Sequence, residues 1–425
     1  MGGAGVMRWA KMAKYISASG WAPVIYTPEG GETGAYDESL LKEIPSDIEV
    51  VRTPIWEPYD LYKTLLGRKK KEKLYSGFIN ENNKASLAQK FSVWVRGNFF
   101  IPDARMFWIK PSVRFLKKYL KDHPVDAIVT TGPPHSMHRI GYKVHRATGI
   151  PWVADFRDPW TNIDFYRDLH LSAWADRRHH RLELEVLKTA SKVVTVTWRS
   201  RDEFKALCGR DDIVVIPNGF DDADFPQAGK VALDEAFTIV HIGSMNKDRN
   251  PSGFWKAMKA ALAESPALRE KVSIRLVGPV DFSVRASVED AGLSDYTSFV
   301  EFVPHTEAVM LQQTTQVNLL VINNSPNSKT IIPGKLYEYL GAQRPLLAVG
   351  PKDSDSAMVI QKTNGGVVHE YDDVEGMKQR ILEYFSLYQQ GQLKADASGI
   401  QSFTRRHLAG EFAKVLDEVS GQWVK

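Results

Sequence analysis

Twelve short apolar runs, nearly continuous in Val, Ile, Leu and aromatic residues and separated by longer helical stretches, constrain this chain more than any other feature. Six precede a polar break at Asp221–Glu235: Pro23–Thr27, Ile48–Val51, Asp126–Thr130, Pro151–Asp155, Lys192–Thr197 and Ile213–Ile216. Six follow it: Phe237–Val240, Val272–Val277, Phe299–Phe302, Val317–Val321, Pro345–Val349 and Gly366–Val368. A strand that is apolar at every position, rather than every second one, is covered on both faces, as in a parallel sheet. The helical stretches then supply the crossovers between parallel strands. The pattern predicts an α/β protein of two doubly wound, Rossmann-like domains, at residues 1–225 and 236–402. A last helix over 403–425 is expected to pack back on the first domain. A chain of 425 residues suits two such cores.

In open parallel sheets, ligands bind beyond the carboxyl ends of the strands. The residues just after each run are therefore the candidates for chemistry. In the second half, Gly243 follows the first run, and Lys247 and Arg249 come just after it. Arg249 there can grip two oxygens of a diphosphate at once, or it is a solvated loop charge. Later, Lys335 and Glu338 are three apart in Pro333-Gly334-Lys335-Leu336-Tyr337-Glu338-Tyr339-Leu340-Gly341, so a helix puts them on one face. A carboxylate there can accept both hydroxyls of a ribose while the lysine meets a phosphate; the plainer reading is a surface pair.

In the first half, Thr130-Thr131-Gly132-Pro133-Pro134-His135 ends one run and Asp155-Phe156-Arg157-Asp158-Pro159-Trp160 ends the next. Two acids and an arginine beside His135 read either as acceptor-side chemistry or as a buried Asp–Arg pair. At the start, Gly2-Gly3-Ala4-Gly5-Val6 precedes a helical pattern. Such a loop lets backbone N–H groups approach a phosphate, or it is a flexible terminus.

Other classes fall away. The single cysteine, Cys208, permits no intrachain disulfide and no cysteine metal cluster. Neither a zinc-protease helix, nor a phosphate loop ending in Gly-Lys-Ser/Thr, nor a Gly-x-Ser-x-Gly elbow occurs. Asp353-Ser354-Asp355 could mimic a metal-binding acidic triplet but reads as a helix N-cap. No metal or cofactor is expected. No run approaches the ~18 apolar residues of a membrane span, and no secretory leader is seen, so a cytoplasmic location is expected.

The charge is uneven. Between Leu61 and Lys121 fifteen Lys or Arg stand against Glu72, Glu81 and Asp103, while the whole chain carries a net charge of only +4. This basic stretch contains Lys69-Lys70-Lys71 and the aromatics Trp94, Phe99, Phe100, Phe107 and Trp108. It suits contact with an anionic leaflet, or it is a solvated charge run beside an ordinary core. No nucleic-acid motif accompanies it.

Taken together, these motifs resemble the family 4 retaining glycosyltransferases, which have the GT-B fold, two Rossmann-like domains facing each other across a cleft. The carriers are Gly2-Gly3-Ala4-Gly5-Val6, Ile216-Pro217-Asn218-Gly219-Phe220-Asp221 and the block from Lys335 to Pro345. The resemblance implies a sugar moved from a nucleoside-diphosphate sugar, with retained configuration, to a cell-envelope glycan or lipid-linked acceptor. It implies that Gly3 and Gly5 face the donor phosphates, that Arg249 or Lys247 grips the diphosphate, and that Glu338 binds the ribose. His135, Asp155, Arg157 and Asp158 then face the acceptor and the transferred sugar. The sequence departs from the family pattern at Thr330, where relatives carry a second Glu, and at Arg157, where many carry His. The chain also begins inside the glycine loop, which in the family follows a first strand. Rival expectations are a nucleotide-sugar-binding protein without transfer activity, a nucleotide-sugar epimerase of the same architecture and a membrane-surface module.

Overall fold

A computed structural model describes residues 4–30, 44–57, 87–226, 229–396 and 398–421. Each of the twelve apolar runs holds a strand. In chain order these are β1 (Ile25–Glu29), β2 (Val50–Pro54), β3 (Ile128–Gly132), β4 (Trp152–Phe156), β5 (Lys192–Thr195) and β6 (Val214–Val215). They continue with β7 (Phe237–Ile242), β8 (Val272–Val277), β9 (Thr297–Val300), β10 (Val317–Val321), β11 (Leu346–Val349) and β12 (Gly366–His369). Every strand pairing is parallel.

The chain forms two compact units, one of residues 1–217 with 408–425 and the other of residues 218–407. The division falls at Pro217–Asn218, ahead of the polar break where composition changes. The helix Arg405–Ser420 crosses the second division, and its residues Leu408, Ala409, Phe412 and Leu416 join the core of the first unit.

In the first unit, β3, β4, β5 and β6 form one sheet in that order, while β1 and β2 pair separately. The edges of β1 and β3 have no further strand partner among the described residues. Between these two strands lies an apolar cavity of about 240 Å³, walled by Val24 and Tyr26 on one side and Ala127–Thr131 on the other. The helix Ala4–Ile16 packs Met12, Tyr15 and Ile16 against Val153, Val194 and Ile216. No strand precedes that helix among the described residues.

In the second unit the sheet order is β12-β11-β10-β7-β8-β9. Chain order reverses between β7 and β10, so this is the switch point outside which a doubly wound sheet binds its ligand. β7 and β10 are buried at every position, which explains why alternation was absent from their sequences.

Candidate functional site

The second unit places a cationic and carboxylate cluster at its switch point. β7 ends at Ile242, and the next residue, Gly243, has φ +135°, a conformation that a side chain would strain. Its amide donates to Val277 O (2.8 Å), which carries the β7–β8 ladder one residue past Ile242. Asn246 Oδ1 then accepts from Arg249 N (3.1 Å) and caps the short turn Lys247–Arg249. The turn presents Arg249 back toward β10. Its Nε donates to Asn323 Oδ1 (2.6 Å) and Nη1 to Ser244 O (3.0 Å). Arg249 Nη2 makes no hydrogen bond to the described protein, so a fixed guanidinium retains a donor edge. Burial lowers the Arg249 pKa from its ordinary value, but an arginine remains cationic at neutral pH. Lys247, two residues earlier, is exposed, and its charge acts on Asp281.

The helix Gly334–Gly341 brings the second half of the cluster. Tyr339 Oη accepts from Ile242 N (2.8 Å), which pins the helix to the end of β7. Lys335 Nζ sits 2.7 Å from Glu338 Oε2, and Gln312 Nε2 donates to the same oxygen (3.1 Å). Both side chains of the ion pair are about one third exposed (32% and 27%), so the pair faces solvent while one Glu338 oxygen is held. Lys335 lies in the first turn of its helix, whose backbone N–H groups add positive potential for an anion. Thr330 N donates to Asn327 O (2.9 Å) in the turn ahead of this helix. Farther along, Ser354 Oγ accepts from Ala357 N (3.1 Å) and caps the helix Asp355–Thr363, while Asp353 pairs with Lys329 (2.6 Å).

In the first unit, the strand-end residues divide into two groups. Asp155, on β4, is fully buried. It accepts from Arg8 Nε (3.2 Å) and Nη2 (2.9 Å), Trp9 Nε1 (2.8 Å) and Thr131 Oγ1 (2.9 Å). Arg8 Nη1 also donates to Pro217 O (2.8 Å). Burial pushes the Asp155 carboxyl up, but the Arg8 charge and these hydrogen bonds outweigh it and hold the pKa below the usual value. A carboxylate enclosed by four donors ties the helix Ala4–Ile16 to the sheet, as a buried Asp–Arg pair does. Gly5 lies in the first turn of that helix; Gly2 and Gly3 lie outside the described residues.

His135, Arg157 and Asp158 form the other group. Arg157 N donates to Gly132 O (2.9 Å) and its Nη2 to Pro133 O, which draws it toward the His135 loop. His135 is buried and stacks on Trp160 (4.7 Å between centroids, 4° between planes). Burial first, and then the charges of His138, Arg157 and His179, push its pKa well below the ordinary histidine value. It is therefore a neutral base at physiological pH. Asp158 is exposed.

The basic stretch is described from residue 87 onward, so Lys69, Lys70 and Lys71 lie outside it. Phe99 and Phe107 are exposed, as are Phe91 and Trp56. Trp108 is not part of that surface: it is buried, stacks on Tyr26 (5.0 Å, 2°) and donates from Nε1 to Thr53 Oγ1 (3.1 Å). Among the described residues no helix is long and apolar enough to cross a membrane.

Sequence reasoning missed Arg8, Gln312 and Asn323. Arg8 left a faint signal, a charge on the apolar face of a helix; the two amides left none, because their partners are remote in sequence.

This architecture is shared with solved glycosyltransferases. A glycosyltransferase from Rickettsia africae is 15% identical, with a TM-score of 0.60, over 98% of this chain and 95% of its own. Anabaena Alr3699/HepE, solved in complex with UDP, is 15% identical, with a TM-score of 0.59, over 98% and 96%. The UDP-forming α,α-trehalose-phosphate synthase from Burkholderia vietnamiensis is 13% identical, with a TM-score of 0.60, over 96% and 97%. A search of the curated proteins found no match. The fold is GT-B, with two Rossmann-like domains, and the protein is a glycosyltransferase. Residues 2–219 match the glycosyl transferase 4-like domain, and the chain belongs to that family, the family 4 glycosyltransferases.

Proposed function

We propose that the chain moves a sugar from a nucleoside-diphosphate sugar, with retention of configuration, to a cell-envelope glycan or lipid-linked acceptor. The observation that carries this reading is the grouping of Arg249, Lys335 and Glu338 at the switch point of the second unit. Arg249 and the Lys335 ammonium supply fixed positive charge for the diphosphate, and Glu338 accepts hydrogen bonds from the ribose hydroxyls. Arg249 rather than Lys247 takes the diphosphate, because its guanidinium is held by Asn323 and Ser244. Negative charge grows on the departing nucleoside diphosphate in the transition state. Cations already in place stabilise it without reorganising. No metal is needed for this step. Gly243 lets the backbone approach the ligand closely.

On the first unit, neutral His135, Arg157 and exposed Asp158 serve the acceptor and the transferred sugar, while Asp155 positions the helix carrying Arg8. Uridine is the first nucleotide to test, since structural relatives were solved with UDP and with UDP-glucose. The exposed aromatics Phe91, Phe99 and Phe107 and the basic stretch suit contact with the cytoplasmic face of a membrane.

A thermal-shift screen against UDP, GDP, ADP, CMP and dTDP sugars tests the donor assignment. A ligand at about 100 times its Kd adds roughly 2.7 kcal/mol of stability. The expected result is a shift with one nucleotide that Glu338→Ala abolishes. A shift that survives Glu338→Ala removes the ribose assignment, and no shift with any nucleotide removes the donor site.

A further inference from the structure

β7 carries one polar side chain at its carboxyl end, His241, inside a run that is otherwise apolar apart from Thr238. His241 is 4% exposed. Its Nδ1 lies 3.0 Å from Leu319 O on β10, so it bridges the two strands of the switch point. A carbonyl oxygen only accepts, so Nδ1 carries the proton and donates it. The neutral ring then has its lone pair on Nε2. Nε2 is buried and has no hydrogen-bond partner among the described residues. A bare acceptor in that position lacks the partner that buried polar atoms ordinarily have.

The surroundings indicate what that partner is. Apart from its two chain neighbours, a Cβ built on Gly243 would meet one atom of the described residues within 4 Å, Nε2 of His241, at 4.0 Å. Gly243 has no side chain, so a ligand lying over this turn comes within reach of the imidazole. The charged groups facing the ring are Arg249, from the loop after β7, and Lys335, from the helix Gly334–Gly341; Glu338 pairs with Lys335, and the Tyr339 hydroxyl lies on Ile242 N. Burial, reinforced by the Arg249 and Lys335 charges, pushes the His241 pKa down to about 4, so the ring stays neutral near pH 7. A neutral acceptor repels a phosphate oxygen and attracts a hydroxyl.

We infer that His241 Nε2 accepts a hydrogen bond from a hydroxyl group of the bound nucleotide sugar, next to the diphosphate held by Arg249 and Lys335. This rests on the donor-site reading above and adds a specificity contact that neither the sequence motifs nor the family match assigns.

His241→Asn tests it, because the asparagine amide can still donate to Leu319 O while the Nε2 acceptor is gone. His241→Gln, which places an acceptor farther out, serves as the partial rescue. Calorimetric titration uses whichever pair of UDP and UDP-glucose, GDP and GDP-mannose or ADP and ADP-glucose the wild type binds best. The expected result is about tenfold weaker binding in His241→Asn, the scale of one buried hydrogen bond, with partial recovery in His241→Gln. Loss with both diphosphate and sugar nucleotide places the contact on the ribose, and loss with the sugar nucleotide alone places it on the transferred sugar. A change below twofold for both ligands in His241→Asn, with wild-type binding intact, overturns the inference alone. An affinity that rises tenfold from pH 8 to pH 6 in the wild type but not in His241→Asn also overturns it, because the ring would then bind phosphate as a cation. Absence of any nucleotide binding by the wild type overturns the donor-site reading and this inference together.

Discussion

Arg8→Met removes one partner of the buried Arg8–Asp155 pair and is expected to destabilise the first unit strongly. The methionine roughly fills the aliphatic volume but withdraws two donors from Asp155 and one from Pro217 O. Asp155 has no exposure to water, so among the described residues its charge keeps only the Trp9 and Thr131 donors. Removing one partner of a buried ion pair costs about 3–5 kcal/mol. For a unit of this size that is a fall in Tm of about 6–20 °C. Differential scanning calorimetry of the full chain reads it. The pH dependence has a definite sign. In the wild type the folded-state Asp155 value is depressed, so its stabilisation is present above the unfolded value, about 3.9, and is lost as pH falls through the lower folded value. In the variant burial dominates and the folded value rises, so charging Asp155 destabilises it as pH increases. The deficit of Arg8→Met should therefore be large at pH 7 and shrink below about pH 4. Adding Asp155→Leu should recover at least about 1 kcal/mol, because the stranded charge is gone. A loss below about 1 kcal/mol for the single variant, or a deficit independent of pH, would refute the argument.

Other outcomes follow from the same geometry. Arg249→Lys should lower kcat/KM by about 10²-fold, measured by nucleoside-diphosphate release, because a point charge does not reproduce the fork held by Asn323 and Ser244. Gly243→Ala should cost about 1–3 kcal/mol in thermal unfolding, since φ +135° suits only glycine. Trp108→Ala should cost about 3–5 kcal/mol and leave binding to anionic vesicles unchanged, because the ring is core. Replacing Phe91, Phe99 and Phe107 by Ser should do the reverse, lowering sedimentation with phosphatidylserine vesicles at little cost to Tm.

The strands were legible in the sequence because burial on both faces writes itself as unbroken apolar runs, as in Phe237–Ile242 and Trp152–Phe156. Lys335 and Glu338 were legible as a pair because three residues make one helical face. The strand order was not, and with it went the switch point that brings Arg249, Asn323 and Lys335 toward one place. The identity of the Asp155 partner was also hidden. A buried Asp–Arg pair was an open reading, with Arg157 the nearby arginine, but the guanidinium that reaches Asp155 belongs to Arg8, 147 residues earlier in the chain. Trp108 misled as a surface aromatic because its basic neighbours are exposed while its own side of the helix Met106–Asp122 faces Tyr26. His241 was masked by the apolar run around it.

Glycosyl transfer in this protein is proposed to depend on the cluster at the β7–β10 switch point. The most direct measurement is release of nucleoside diphosphate from a panel of nucleotide sugars, with a membrane lipid extract as acceptor, in wild type and Arg249→Ala side by side. The expected result is release from one nucleotide class, stimulated by the extract and slowed about 10²- to 10³-fold in the variant. Equal rates in wild type and variant, or no release from any donor, would contradict it.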